Sequence, residues 1–407
     1  MQLTTVDGRR TPGRASVTAR SRAAVNSGLM LKAKTYTGLG NLPERYGVLF
    51  AEASQDSFFL SLPWFRTLES TVLGGNERAQ VIGIESDESS NAALGALVLK
   101  VSEESRRFFS PRTVDSLTNY YSSYFAPILT QNSSSPDPVV RMIVGELNSR
   151  GPQWDVLNLR PLDLSLAGVQ SLHLAMETSG LKTQTYFCFG NWYLNVNGRS
   201  YAEYFKDLPS VIRKNAPYYK RRIEKSARVR VQIYTGLEDL EAGIADYEAI
   251  YNSSWRDREG YPGFIRAFIR TAAEEGWLRL GVFYIDDEPA AAQLWIVHGS
   301  VASIYKICYA EKFVKSSVGS VLTMHMLEHA LDRDKVSEVD YLTGDDTYKS
   351  NWMSDRRERW GIMAFNPATV LGKLSTLKHI GGKTLKAKLG AFADDITAPF
   401  RRLHAGD

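Results

Sequence analysis

YKICYAEKFVKSSVGSVLTMHMLEHAL, residues 305–331, sets the architecture. It begins as a strand ending at Tyr309–Ala310. It then passes through a polar loop holding Lys312, Lys315, Ser316, Ser317 and Gly319, and becomes a helix near Ser320. Such a loop at a helix start suits a pyrophosphate. Glycine lets the backbone approach, hydroxyls and free N–H groups donate, and lysine offsets charge. The same residues also make an ordinary helix cap, so spacing alone leaves both uses open.

Before this stretch stand WLRLGVFYID (277–286) and AAAQLWIVHG (290–299), and the third run is VASIYKICYA (301–310). The tight turns DDEP and GS join them into an antiparallel meander. After the helix 319–333, SEVDYLTG (337–344) reads as a strand parallel to the last meander strand. The crossover helix therefore starts at the strand ends, where its dipole and free amides favour an anionic ligand. TYKSNWM (347–353) reads as a short helix and RERWGIMAF (357–365) as a last strand.

Upstream, 200–227 is a basic helical segment interrupted at Pro209 and Pro217. It carries Arg213, Lys214, Lys220, Arg221, Arg222 and Lys225. These line an anion path or form a solvated helix face. RVRVQIYTG (228–236) alternates as a strand, and 237–255 and 263–276 have helical apolar spacing. The first half offers a helix at 58–71, strands at 79–86 and 93–101, a helix at 138–147 and a strand at 154–162. A helix at 166–180 ends at Gly180, and a strand covers 183–196. The two halves share element order, so a degenerate duplication is one hypothesis.

The chain has 407 residues, 43% hydrophobic and 23% charged, the profile of a folded protein of about two domains. The net charge of +4 is uneven: residues 1–34 carry +6 and 366–407 carry +4, leaving −6 for the body. This argues against a nucleic-acid groove in the body. The two cysteines, Cys188 and Cys308, sit in apolar strand-like runs without metal spacing, as buried reduced thiols of a cytoplasmic protein would. His325 and His329 are spaced i,i+4, but HMLEH does not complete a HExxH motif, so no metal is expected. No apolar run approaches a membrane span.

VDYLTGDDTYKSNWMSDRRERWG (339–361) gathers Asp340, Asp345, Asp346, Tyr348, Lys349 and Trp352 beyond a strand end. Carboxylates and a tyrosine there serve as general base and acid, or else as caps of a solvated loop. In the tail, Leu371, Leu374, Leu377, Leu385, Leu389 and Phe392 recur at helical spacing among lysines. Such a helix lies on an anionic membrane or docks on the protein itself.

Residues Asn191–Pro367 resemble the acetyltransferase-6 (BioF2-like) group of the GNAT superfamily, which is linked with bacterial exopolysaccharide gene products. The matching pieces are IRKNAPYYKRRIEK, the meander, IYKICYAEKFVKSSVGSVLTMHML and VDYLTGDDTYKSNW. Val318 in EKFVKSSVG stands where the family commonly has proline. The G-x-x-x-Y-K-x-x-W pattern appears as Gly344, Tyr348, Lys349 and Trp352.

The resemblance implies an α/β (α+β) fold of tandem GNAT-like domains, as in Fem-type transferases. Each has a mixed, mostly antiparallel sheet flanked by helices. The expected organisation is a flexible basic leader at 1–34, an N-terminal domain at 35–190, a C-terminal acyltransferase domain at 191–367 and a tail at 368–407. It implies an acetyl-CoA or longer acyl-CoA co-substrate and a small-molecule or saccharide acceptor. Amides along Tyr305, Ile307 and Tyr309 would meet the thioester, and Lys315, Ser316, Ser317, Gly319 and Ser320 the pyrophosphate. Glu311, Asp345 or Asp346 would act as base and Tyr348 as acid, while Lys349 would anchor the loop or an anionic acceptor. Two alternatives stay open: a Fem-like aminoacyl transferase using charged tRNA, and a GNAT-like scaffold without catalysis.

Overall fold

The computed structural model describes residues 31–381 apart from 87–91, 103–109, 132–134, 150–153 and 255. Thirteen strands join one sheet: β1 (Leu31–Thr37), β2 (Glu77–Ser86), β3 (Ala93–Ser102), β4 (Thr113–Ser116), β5 (Ile128–Leu129), β6 (Val156–Leu162), β7 (Lys182–Asn195), β8 (Val229–Tyr234), β9 (Leu278–Ile285), β10 (Glu288–His298), β11 (Val301–Tyr309), β12 (Glu338–Asp340) and β13 (Asp355–Phe365). Their spatial order is β1-β2-β3-β4-β6-β13-β7-β12-β11-β10-β9-β8, with β5 beside β3.

One pattern occurs twice. β1, helices Arg45–Ala53 and Leu62–Val72, the β2–β3–β4 meander and helix Asp137–Ser149 lead to β6, which lies parallel to β4. β8, helices Leu240–Asn252 and Phe264–Glu274, the β9–β10–β11 meander and helix Val318–Glu328 lead to β12, which lies parallel to β11. The chain is a tandem α/β fold, as the resemblance implies. The equivalent second helices of the two repeats pack together. Thr67 Oγ1 meets Thr271 Oγ1 at 3.0 Å, and Trp64 lies edge-on to Phe264 and Phe268 at 5.7 and 5.0 Å. Helix Leu62–Val72 starts where the buried Ser61 hydroxyl accepts the Trp64 N–H at 3.2 Å. Ser61→Ala orphans that buried amide and should cost about 1 kcal/mol, read as a lower denaturant midpoint; an unmoved midpoint refutes the assignment.

The halves are also woven together. β13, the last strand, inserts between β6 and β7 of the first half and pairs antiparallel with both. β7 pairs with β13 and, through Tyr193–Asn195, with β12. The expected division between 190 and 191 therefore falls inside one strand.

Several expectations need correction. The leader expected over 1–34 gives way at Leu31, where β1 begins and pairs with β2; residues 1–30 lie outside the described part. Helix Arg45–Ala53 and strand β4 were not anticipated. Pro209 does break the basic segment, but Pro217 sits inside helix Ser210–Ser226. Its ring frees the Arg213 carbonyl on an exposed face, where water can satisfy it. The short helix at 347–353 is a 3-10 turn, Lys349–Asn351, and the strand at 337–344 shortens to β12. In the tail, Leu374 and Leu377 are exposed, whereas Gly372 and Ser375 face inward. Leu385, Leu389 and Phe392 lie outside the described residues. Among the described residues no helix is long and apolar enough to cross a membrane.

Candidate active site

β11 and β12 pair over three residues only, Val301–Ser303 against Glu338–Asp340, and then part. A bulge accompanies the parting: Leu294 faces Lys306 and Trp295 faces Ile304, so Tyr305 has no partner in the ladder. The extra residue re-aims the strand. The Tyr305 ring fills the aromatic core, 4.9 Å from Phe268, and its hydroxyl donates to the Tyr121 carbonyl at 3.1 Å. Past the bulge, Arg256 Nε donates to the Ile307 carbonyl at 2.8 Å. That carbonyl points away from β10, and the N–H of the same residue points with it. The opened edge of β11 thus offers main-chain groups to the gap. A cleft of about 240 Å³ fills the gap, walled by Ile304–Ile307 on one side and Tyr341–Thr343 on the other.

The wall after β12 is held by a network of buried and half-buried polar groups. Asn191 Nδ2 donates to Asp340 Oδ1 at 2.6 Å and to the Leu342 carbonyl at 2.8 Å. The Leu342 N–H donates to Asp340 Oδ1 at 2.6 Å. Arg357 donates to Asn191 Oδ1, Asp340 Oδ2 and Glu338 Oε1 at 2.7, 2.6 and 2.7 Å. Inside this frame Leu342 takes φ +55° and Gly344 φ +109°. A φ of +109° is open to glycine and strained for any residue with a Cβ.

Lys349, 5% exposed, closes the loop: Nζ donates to the Thr343 and Gly344 carbonyls at 2.5 and 3.3 Å and lies 3.3 Å from Asp346 Oδ2. Burial lowers its pKa, and Asp346 opposes that. Tyr348 stands edge-on to Tyr341 at 5.8 Å; burial first, then Asp346, push its hydroxyl up to about 12. Asp346, Tyr348 and Lys349 all line the cleft.

Asp345 and Glu311 do not. Asp345 forms a two-pronged pair with Arg356 at 2.9 and 2.8 Å, and that partner holds its carboxyl below the usual range. It lies tight over Gly190, where an added Cβ would come within 2.1 Å of Oδ1. Glu311 is exposed at the start of the turn Glu311–Ser316, its N–H bonded to the Ser253 carbonyl. Among the expected cofactor residues, Tyr305 and Ile307 line the cleft. Tyr309 ends β11 under Gly319, where a Cβ would touch its ring at 3.4 Å. Lys315 and Ser316 lie in a 3-10 turn rather than an open loop, because Ser317 at φ +50° reverses the chain into the helix. The helix starts at Val318, and Ser317 makes no side-chain cap bond. The amides of Val318, Gly319 and Ser320 are its first turn and have no acceptor within the helix.

The sequence reading missed the opposite wall. Lys306 Nζ donates to Glu259 Oε1 at 2.9 Å and sits 4.9 Å over the Tyr121 ring. The Tyr121 hydroxyl donates to Glu259 as well, and Tyr120 donates to Tyr121 at 2.7 Å. Burial would raise the Glu259 pKa, but bonds from Tyr121 and Lys306 outweigh it and hold the carboxyl below its usual range. Tyr121 and Glu259 are 138 residues apart, so no local pattern announces them. Ser123 Oγ and Thr343 Oγ1, 2.7 Å apart, tie the first half to the cleft loop. His325 and His329 are half-buried on the crossover helix; His329 Nε2 lies 3.8 Å from Asp334. Cys188 and Cys308 are both free thiols.

Residues 210–350, about a third of the chain, match the family model of the acetyltransferase (GNAT) domain. No curated protein matches the sequence. Among solved structures the chain is similar to FemX, at 9% identity and a TM-score of 0.55 over 81% of this chain and 96% of that one. A tandem GNAT protein from the clavulanic acid biosynthesis pathway aligns at 11% identity and TM-score 0.47, over 83% and 99% of the two chains. L-PGS from Bacillus licheniformis aligns at 9% and 0.46, over 85% and 98%. By sequence, residues 210–350 match the acetyltransferase (GNAT) domain; by fold, the chain is a tandem α/β protein similar to FemX.

Proposed function

We propose that this chain is an acyl-CoA-dependent N- or O-acyltransferase whose donor enters the gap between β11 and β12. The observation that carries the reading is the parting of these strands; the first turn of helix Val318–Glu328 packs on Tyr309 at the end of β11, outside the lining of the cleft. The first-turn amides and the hydroxyls of Ser316, Ser317 and Ser320 would receive the pyrophosphate, and the free edge of β11 would pair with the extended, amide-bearing arm of the donor. The Ile307 N–H is aimed where the thioester oxygen becomes an oxyanion. Asp346 takes the proton from the acceptor amine or hydroxyl as it attacks the carbonyl carbon. The C–S bond breaks, and Tyr348 gives its proton to the leaving thiolate. Lys349 positions this pair by holding the loop. A cytoplasmic role in cell-envelope or exopolysaccharide metabolism, with a saccharide or other small acceptor, fits the resemblance.

Binding is tested by titrating the full chain with acetyl-CoA and longer acyl-CoAs and reading thermal stability. A ligand at 100 times its Kd adds about 2.7 kcal/mol, and no shift with any of them overturns the reading. Gly319→Asp gives a sharper test. A carboxylate in the first turn stabilises the helix but repels the pyrophosphate, so the variant should fold and bind acyl-CoA about tenfold more weakly, near 1.4 kcal/mol. Unchanged affinity would place the pyrophosphate elsewhere.

The resemblance to Fem-type transferases and the exposed cations of helix Ser210–Ser226 support a second reading, an aminoacyl transferase fed by charged tRNA. Acyl transfer from a charged tRNA, without any acyl-CoA response, would select it. A fold intact but silent to both donors would select a scaffold.

A further inference from the structure

A second hollow of about 370 Å³ opens beside the donor cleft and shares Tyr120 and Thr343 with it. Its walls are Pro161 from β6 and Tyr186, Phe187 and Phe189 from β7. Phe187 is 47% exposed, an uncommon position for a large ring on a strand, and it stands edge-on to Trp360 at 5.7 Å. Arg160 and Asn119 line the hollow beside this apolar wall. Arg160 is exposed and forms no ion pair among the described residues. Its backbone is fixed: the carbonyl accepts from Ser116 and Thr118 at 2.7 and 2.9 Å, and the N–H donates to Ser116 Oγ at 3.1 Å. Asn119 Nδ2 is buried without a partner among the described residues. The amide cannot profitably turn over, because its Oδ1 accepts the Tyr121 N–H at 2.9 Å. An orphaned buried N–H₂ costs about 1–3 kcal/mol unless something accepts from it.

We propose that this hollow holds the acceptor through a carboxylate on an apolar body, with Arg160 and Asn119 as its donors. The inference rests on the acyltransfer reading for the word acceptor, though the binding site itself does not. Several observations favour a carboxylate. Among the described residues Arg160 is the only arginine or lysine lining the hollow, where a phosphate dianion is usually met by more than one cation. The guanidinium fork matches a planar carboxylate. Tyr186 and Phe187 give the body of the ligand a face to stack on. The shared rim at Tyr120 and Thr343 leads from this hollow toward Asp346 and Tyr348, so a nucleophile on the same ligand can reach the thioester.

The test is binding to the full chain without donor, by ligand-observed NMR or calorimetry. The probes are N-acetyltyrosine, its carboxamide, and methyl glucuronide as a sugar acid. The acid of either class should bind, and the carboxamide should bind at least tenfold more weakly. Arg160→Ala should remove that preference. Asn119→Asp keeps the acceptor for the Tyr121 N–H, removes the two donors and adds a repelling charge, so it should weaken the acid in the same way. Which acid binds separates an amino-acid from a saccharide acceptor. No binding by either acid, equal binding of acid and carboxamide, or a preference that survives both substitutions overturns the proposal. Acetyl-CoA binding is scored separately, so a failed donor reading leaves this result interpretable, and the reverse holds too.

Discussion

Arg357→Ala should lower the unfolding free energy by about 3 kcal/mol and release the cleft loop, although Arg357 touches no part of the cleft itself. The guanidinium serves Asn191, Asp340 and Glu338 at once and lies 4.3 Å over the Tyr193 ring. Asp340 is 6% exposed. Removing one member of such a cluster strands a buried charge, which costs about 3–5 kcal/mol; the solvent-reached part of Arg357 puts the expectation at the lower end. The loss has a second consequence. Leu342 keeps φ +55° only while Asp340 and Asn191 hold both its N–H and its carbonyl, and such a backbone costs about 1–2 kcal/mol to maintain. Denaturant unfolding reads the first effect, and limited proteolysis within 341–349 reads the second. Arg357→Lys keeps charge without the fork and should fall between. A double-mutant cycle with Asp340→Asn should show coupling above 1 kcal/mol. Additive losses would mean that the two residues stabilise the protein independently.

How much of this was legible in the sequence depends on how far apart the partners are. The β9–β10–β11 meander and the helix after it follow from alternation and tight turns within about 60 residues, and β11 builds one wall of the cleft. β1 was misread for a local reason. LKAKTYT alternates like a strand, but its lysines look like the end of a basic leader, and only the pairing of Leu31–Thr37 with β2 settles it. β13 reads as a strand, yet nothing local tells it to slot between β6 and β7. That placement rests on long-range pairing with β6 and β7 on either side. Asp346, Tyr348 and Lys349, which line the cleft, stand out in the sequence because they cluster there. Glu259, Tyr121, Lys306 and Arg256 were missed because three separate segments deliver them. Asp345 was plausible by position and was captured instead by Arg356, a neighbour eleven residues on that a sequence reading had no way to prefer.

Tyr348→Phe should reduce kcat by about 10²–10⁴-fold, the span typical of one positioned proton donor, with little change in acyl-CoA binding. Tyr348 lines the cleft with Asp346, on a loop pinned by Lys349. Its protonation state also fits. A phenol pushed up to about 12 keeps its proton throughout the working range, so it can give that proton to a thiolate but cannot serve as base. The sign follows directly: the acid form is present below about pH 12, and kcat should show no alkaline fall from this group at pH 7–10. An alkaline limb near 8–9 that vanishes in Tyr348→Phe would contradict the shift while leaving the role intact. The packing of Tyr348 against Tyr341 needs only the ring, so phenylalanine preserves the fold and isolates the oxygen. The ratio of slow to fast donors then separates the acid role from a structural one. If Tyr348 protonates the leaving group, acyl donors whose thiols are more acidic need less help and should lose less rate in the variant. A uniform loss across donors would reassign the hydroxyl to orienting the acceptor, and an unchanged kcat would remove it from the chemistry.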